Sequence, residues 1–427
     1  MISVILIIRE KSILLLNYLL VVFVFYFPIA SMYSQENIDF LHDSTNILIY
    51  LALILGFHLK KIQYLLQNKL FLSILIISIL ILFSLKFTVP DITSFYANPI
   101  LYNNFFKSYF LLPFLIIIFI LKKEFIPVLI NTFLLSMCIN EVISYGIYFG
   151  LWDTWAGSHS NPVPFHINHI TYSTYVGFAL LLSFYKLFHI SNRYLQFLYL
   201  FFFIIMLINL FLSSGRTGQM SLFITALILT IIYFKTDIRK ILTAFSLLFI
   251  TFIIMYNLIN TFHKRIDQMF INTIDVISNQ KYDSSFGTRI VSFSTIPYLI
   301  NKDNIIFGVG MGNKPEYIRS TLKENYPYRL INFDQHGYLH NSHVEMLVSN
   351  GVLGLIVYLA MFYYLIKIRI KDSLIKYVSY MTSFYFFCYG LTSDIFFFHH
   401  VLLLFSVLIG IVIVQSYVEY LEESYDI

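Results

Sequence analysis

The sequence predicts an all-α polytopic membrane protein of about twelve transmembrane helices, and three observations predict it. Of the 427 residues, 58% are hydrophobic and 12% charged, about half the charged share that a water-facing surface carries. The apolar residues form continuous runs close to the roughly 20 residues that cross a hydrocarbon core, whereas barrel strands alternate in short segments. Lys and Arg gather at every second junction between the runs. The 33 Tyr and 45 Phe exceed what interfacial belts use and must also fill space between helices.

The runs fall near 12–32, 45–59, 69–87, 105–121, 126–149, 170–187, 195–213, 217–234, 241–259, 343–366, 374–391 and 398–418. The first follows Arg9-Glu10-Lys11 without a small-residue cleavage site and reads as a retained helix. The second is the shortest. Basic junctions hold Arg9/Lys11, Lys60/Lys61/Lys69, Lys122/Lys123, Lys186/Arg193, Lys235/Arg239/Lys240 and Lys367/Arg369/Lys371/Lys376, sixteen of the 28 Lys and Arg. The intervening short junctions hold only Lys86, Lys107 and Arg216. Positive charge stays on the cytoplasmic side of short loops, so both termini are expected there.

The same parity puts residues 260–342 outside, as one large periplasmic loop between the ninth and tenth helices. The expected organisation is thus 1–259 (nine helices), 260–342 (the loop) and 343–427 (three helices and a short tail). Loops of this length usually have a role. This one carries nine Lys/Arg against seven Asp/Glu, the histidines His263, His336 and His340, and a Gly-rich turn at 308–312. A smaller outer loop, 150–169, holds both tryptophans and three histidines. Cys138 and Cys388 each sit inside an apolar run and read as packing residues.

Three segments carry candidate chemistry. In Tyr338-Leu339-His340-Asn341-Ser342-His343, running on to Gly351 and Gly354, His340 stands at the outer mouth of a helix. If that helix is regular, Gly351 and Gly354 lie within roughly 40° of its azimuth and admit a close neighbour. An imidazole there serves as a general base or aligns a hydroxyl, with His343 able to share the role. Arg216, in Ser213-Ser214-Gly215-Arg216-Thr217, opens a helix whose first amides are free donors, an arrangement suited to a phosphate. The alternative reading is a snorkelling arginine on lipid headgroups. Arg289, in Gly287-Thr288-Arg289, offers a second guanidinium to the same anion, and two arginines neutralise a diphosphate without a metal.

Two carboxylates are placed where lipid makes them costly. Glu141 either lines a cavity or bonds a neighbouring helix, and Asp394 stands ready to orient one of the arginines. Walker A, dinucleotide-binding, HExxH and cysteine zinc patterns are absent, which leaves no expected cofactor, metal or nucleic-acid partner.

At these residues the chain resembles the O-antigen ligase and polymerase superfamily of bacterial inner membranes. His340-Asn341, nine residues, then Gly351-x-x-Gly354 follows the ligase pattern, and Arg216 and Arg289 match the positions of the family's two arginines. The resemblance runs from about 165 to 415, with Tyr172 at a helix start and Asp394 in a turn. It implies a GT-C-like glycosyltransferase that takes a glycan from undecaprenyl diphosphate and joins it to the lipid A-core. Arg216 and Arg289 would bind the diphosphate and His340 would serve the acceptor hydroxyl. Tyr172, Asn341, His343 and Asp394 complete the expected substrate-binding set.

The nearest alternative is an O-antigen polymerase, which uses the same donor. The Arg-x10-Gly pattern of some polymerases fails here, since Leu227 and Ile300 stand where it needs glycine. A flippase or transporter should instead concentrate polar residues near the bilayer midplane.

Overall fold

The computed structural model describes all residues except 1, 30–47, 87–98, 155–157, 166, 236, 280–281, 283, 285–286, 326–338 and 426–427. The junction 33–43, most of 89–104, Trp155, His166 and His336 lie outside the described residues. Each of the twelve apolar runs contains a helix, and no strand occurs among the described residues. In chain order these are α1 (Ile2–Tyr26), α2 (Leu48–Gly56), α3 (Leu59–Gln67), α4 (Lys69–Lys86), α5 (Pro99–Phe106), α6 (Leu112–Ile120), α7 (Ile126–Tyr148), α8 (His169–His189), α9 (Arg193–Leu212), α10 (Arg216–Phe234) and α11 (Ile238–Leu258). After the long segment come α16 (Ser342–Lys367), α17 (Ser373–Gly390) and α18 (His399–Tyr425).

Among the described residues, seven helical stretches are long and apolar enough to cross a membrane, or eight if the bent pair α2–α3 is one span. That is fewer than twelve. The second run stops at Gly56, and the chain turns by 104° into α3. A side chain at Gly56 would meet the backbone of Phe119, and the Arg9 guanidinium closes the end of α2 on the Leu55 and Phe57 carbonyls. The helices α8 and α17 are more polar than lipid-facing spans because they are interior. Their hydroxyls bond within the bundle, as Thr174 does to Ile170 O (2.7 Å) and Ser383 to Phe362 O (2.8 Å).

Local signals start the helices. Asn168, Asn192, Asp237 and Asp372 cap α8, α9, α11 and α17, each side-chain oxygen accepting an amide of the first turn. Such donors have no partner within the helix itself. The most enclosed element is α18, packed against α6, α8 and α17, with 94% of its apolar window buried. At the periphery is α11, with none buried.

Glu141 binds neighbouring helices. Its carboxylate accepts from Tyr172 Oη (3.1 Å) and Asn209 Nδ2 (2.7 Å), which ties α7, α8 and α9 together. Buried polar atoms in a bundle need such partners.

The long segment also folds into helices: α12 (Asn260–Asn279), α13 (Gly287–Ser294), α14 (Ile296–Leu299) and α15 (Lys314–Asn325). Val291, Leu299, Ile318, Leu322 and Leu339 form a small core with Val344 and Val348 of α16. The expected boundary at 342/343 therefore runs through a shared core.

Candidate active site

The site is built around a cavity of about 400 Å³ between α10, α11, α12 and α13. Met220, Phe223 and Ile224 of α10, Phe252 of α11, Phe262, Ile266 and Met269 of α12, and Ile290 and Phe293 of α13 form an apolar wall. The spacings i, i+3, i+4 and i+7 place the contributions of α10 and α12 each on one helix face. Arg216, Arg265 and Arg289 enter the same cavity, close enough to act on one another electrostatically. No carboxylate is among its lining residues that the structure describes. His169, at the start of α8, also lies within electrostatic reach of Arg265 and Arg289.

Each arginine reaches the cavity for a local reason. Arg216 is the first residue of α10, after Gly215, which has no side chain to cap the helix. The glycines Gly215 and Gly218 let α10 lie against Ser173 of α8, since a Cβ at either would fall within 2.3 Å of that residue. Ser214 is the anchor beside them: Asn161 accepts its backbone N–H (2.7 Å) and Arg265 donates to its hydroxyl (3.0 Å). Arg289 Nε donates to the Thr392 carbonyl (3.0 Å) and so fixes α13 to the turn between α17 and α18.

That turn, 391–394, also carries the histidine segment. Asn341 Nδ2 donates to the Leu391 carbonyl (3.2 Å), and the Ser342 N–H donates to the Ser393 carbonyl (3.1 Å). Ser292, one turn beyond Arg289 on α13, donates its hydroxyl to the Leu339 carbonyl. His340 lies between these two anchors, with φ of 52°. The left-handed region is uncommon for a residue with a Cβ, although His enters it more readily than most, and it is held only where the surroundings over-determine it. The structure thus brings His340 and Arg289 to one turn, whose Leu391 and Thr392 also line the arginine cavity.

Several expectations are corrected. His340 is not on the helix, because α16 begins at Ser342, and the helix is broken at Gly351 (φ 66°, ψ −169°). The azimuthal alignment of His340 with Gly351 and Gly354 therefore does not exist. The close approach expected at Gly351 does occur, but the neighbour is the Gly-rich turn of the long segment. Val309 N–H bonds Val348 O (3.0 Å), Gly310 N–H bonds Ser349 O (2.8 Å) and Val352 N–H bonds Ile305 O (2.8 Å). A Cβ at Gly351 would lie 2.2 Å from the Ile306 carbonyl oxygen, and one at Gly308 2.4 Å from Ser349. The backbone of this turn takes up the amides and carbonyls that the helix break releases.

Four of the expected substrate contacts face inward. Asn341 is fully buried and caps α16, accepting from the His343 (3.0 Å) and Val344 (3.1 Å) amides. His343 turns between α16 and α17, with Nε2 at the Phe387 carbonyl (3.2 Å). Tyr172 is wholly buried in the Glu141 cluster. Asp394 accepts from the Ser342 hydroxyl (3.2 Å) and the Phe396 amide (3.0 Å), and it faces the Lys314 ammonium. Burial pushes the Asp394 carboxyl above its ordinary range, against the pull of Lys314.

Sequence reading missed Arg265 and the buried pair of Lys314 with Glu345. Arg265 had a legible signal, its place on the Phe262–Ile266–Met269 face of an amphipathic helix. Lys314 had none, since its partners come from α16 and the 391–394 turn. Among the described residues, no group of three His, Cys, Asp or Glu is arranged to hold a metal ion.

Fold and site together define an all-helical polytopic membrane protein with an arginine-lined cavity at one end of its bundle. Residues 201–359 match the family model described as O-antigen ligase. The matched segment holds Arg216, Arg265, Arg289 and His340. Members of that family are glycosyltransferase-like enzymes that act on lipid-linked glycans. The curated proteins contain no match to this chain.

Proposed function

We propose that the chain is an O-antigen ligase, transferring a glycan from undecaprenyl diphosphate to the sugar of the lipid A-core. In this reading the chain lies in the bacterial inner membrane with both termini cytoplasmic, and residues 260–342 and the site face the periplasm. The observation that carries it is the cavity, where three guanidinium groups meet an apolar wall with no carboxylate among the described lining residues. A polyprenyl diphosphate needs both parts, apolar surface for its chain and fixed positive charge for its headgroup.

The residues then have separate tasks. Arg216, Arg265 and Arg289 hold the diphosphate and stabilise the charge it gains as it leaves. His340 takes the proton of the acceptor hydroxyl. The acceptor oxygen bonds to the anomeric carbon, the bond from that carbon to the diphosphate oxygen breaks, and configuration inverts. Undecaprenyl diphosphate departs with the electron pair. Asn341, Asp394 and His343 hold the segment that carries His340, and Tyr172 steadies the helix start beside Arg216. No nucleotide, nucleic acid or metal takes part in this scheme.

The test is a lipopolysaccharide gel from a deletion strain complemented with wild type or His340→Ala. Loss of glycan from the core, with lipid-linked polymer accumulating, is the ligase outcome. A core bearing a single repeat unit assigns the protein to polymerisation instead. Unchanged banding in the His340→Ala strain removes His340 from the reaction.

A further inference from the structure

A second basic cavity stands at the other end of the bundle. It has a volume of about 1070 Å³ and lies between the end of α3, the start of α4, the end of α16, the start of α17 and the last turns of α18. Lys367 closes α16, whose first turn stands at the arginine site, and the two cavities have no lining residue in common. The two cavities are therefore separate.

The charge in this second cavity is not internally balanced. Lys69, Lys367, Arg369, Lys371 and Lys376 line it, against Glu419 and Glu423. Both carboxylates are already engaged: Glu419 accepts the Lys371 and Asp372 amides and Gln415 Nε2, and Glu423 pairs with Lys371 at 2.9 Å. Lys376 donates to the Ile368 carbonyl (2.7 Å) and closes the end of α16. For Lys69, Lys367 and Arg369, no carboxylate lies within ion-pair distance among the described residues. Two of them stand over tyrosine rings, Lys69 over Tyr364 (5.9 Å) and Lys367 over Tyr363 (5.8 Å). Tyr363 and Tyr420 leave half their surface exposed at the rim.

We propose that this cavity binds the headgroup of an anionic phospholipid, with Lys69, Lys367 and Arg369 on its phosphates and the tyrosines at the level of its glycerol. Three unbalanced cations between helix ends call for phosphate, and exposed tyrosines belong where polar headgroups meet apolar chains. Basic pockets between helices at the cytoplasmic boundary take two-phosphate lipids in this way. The charge pattern of the junctions assigns this end to the cytoplasm. A soluble phosphate compound offers the same recognition chemistry, and the experiment separates the two sources.

The full chain in detergent is titrated with cardiolipin, with phosphatidylethanolamine and with inorganic pyrophosphate, and bound lipid is counted by native mass spectrometry. Cardiolipin is expected to bind at least tenfold more tightly than phosphatidylethanolamine. The triple variant Lys69→Gln/Lys367→Gln/Arg369→Gln should lose that preference, while Arg216→Ala keeps it. Lys69→Arg/Lys367→Arg/Arg369→Lys, which preserves charge, should also keep it, so that a folding failure of the first variant is recognised. Equal binding by wild type and the Gln variant overturns the site. Displacement of cardiolipin by equimolar pyrophosphate overturns the lipid assignment.

Discussion

The two cavities both concentrate positive charge at a helix end, yet they are built from different materials. The first uses three arginines reaching it from separate elements, an apolar wall and, among the described residues, no carboxylate. The second draws its lysines mostly from the junction after α16, with tyrosines at the rim and two engaged glutamates. Arginine keeps its charge at any working pH and presents a planar fork that matches phosphate oxygens two at a time. Lysine is a hydrated point charge on a flexible stem. The arginine cavity is suited to hold one phosphate geometry while charge develops on it, and the lysine cavity to retain a headgroup without orienting it.

The strongest way to break this contrast is at the arginines. Arg289→Ala or Arg216→Ala is expected to lower glycan transfer about a thousandfold, as loss of a transition-state charge partner does, read by core-linked glycan in a reconstituted assay. Arg216→Lys should retain the charge and still lose about tenfold or more, because the fork is gone. Activity unchanged in Arg216→Lys would erase the distinction between the two cavities.

Next in size is Lys314→Ala, which leaves Glu345 and Asp394 buried without their cation. Breaking a buried pair costs about 3 kcal/mol or more, and a lowered unfolding temperature in detergent would register it. Gly351→Ala forces a Cβ into the Ile306 carbonyl at φ of 66°. It is expected to cost about 2 kcal/mol, seen as faster proteolysis of the 300–314 segment.

The smallest effects compare helix caps at the two ends. Asn341→Ala and Asn192→Ala should each lose about 1 kcal/mol of stability. Only Asn341→Ala should also slow transfer, because Asn341 is bonded to the turn that carries His340 and Arg289. Equal transfer rates for the two variants would detach His340 from that turn.

Much of the fold was legible because its determinants are local. The length of each apolar run and the cations at its ends are read directly from the sequence, and every run contains a helix. The site was legible in part. Arg216 and Arg289 stand out by position, and the structure brings both into one cavity. That Asn341 and Tyr172 are buried and that His343 turns between two helices was not legible, because burial depends on what packs above a residue, which its neighbours in sequence do not encode. Arg265 was passed over among the many cations of the long segment, although the helix face it shares with Phe262 and Met269 was readable.

Composition and run length by themselves determined a helical membrane protein and roughly where its helices lie, and position drew attention to two arginines and a histidine. They could not determine that α18 is enclosed while the comparably apolar α11 is peripheral, that α16 breaks at Gly351 to admit the 305–310 backbone, or that three distant arginines converge. Periodicity and capping act within a few residues of chain. Enclosure and convergence arise only when segments far apart in sequence compete for the same neighbours.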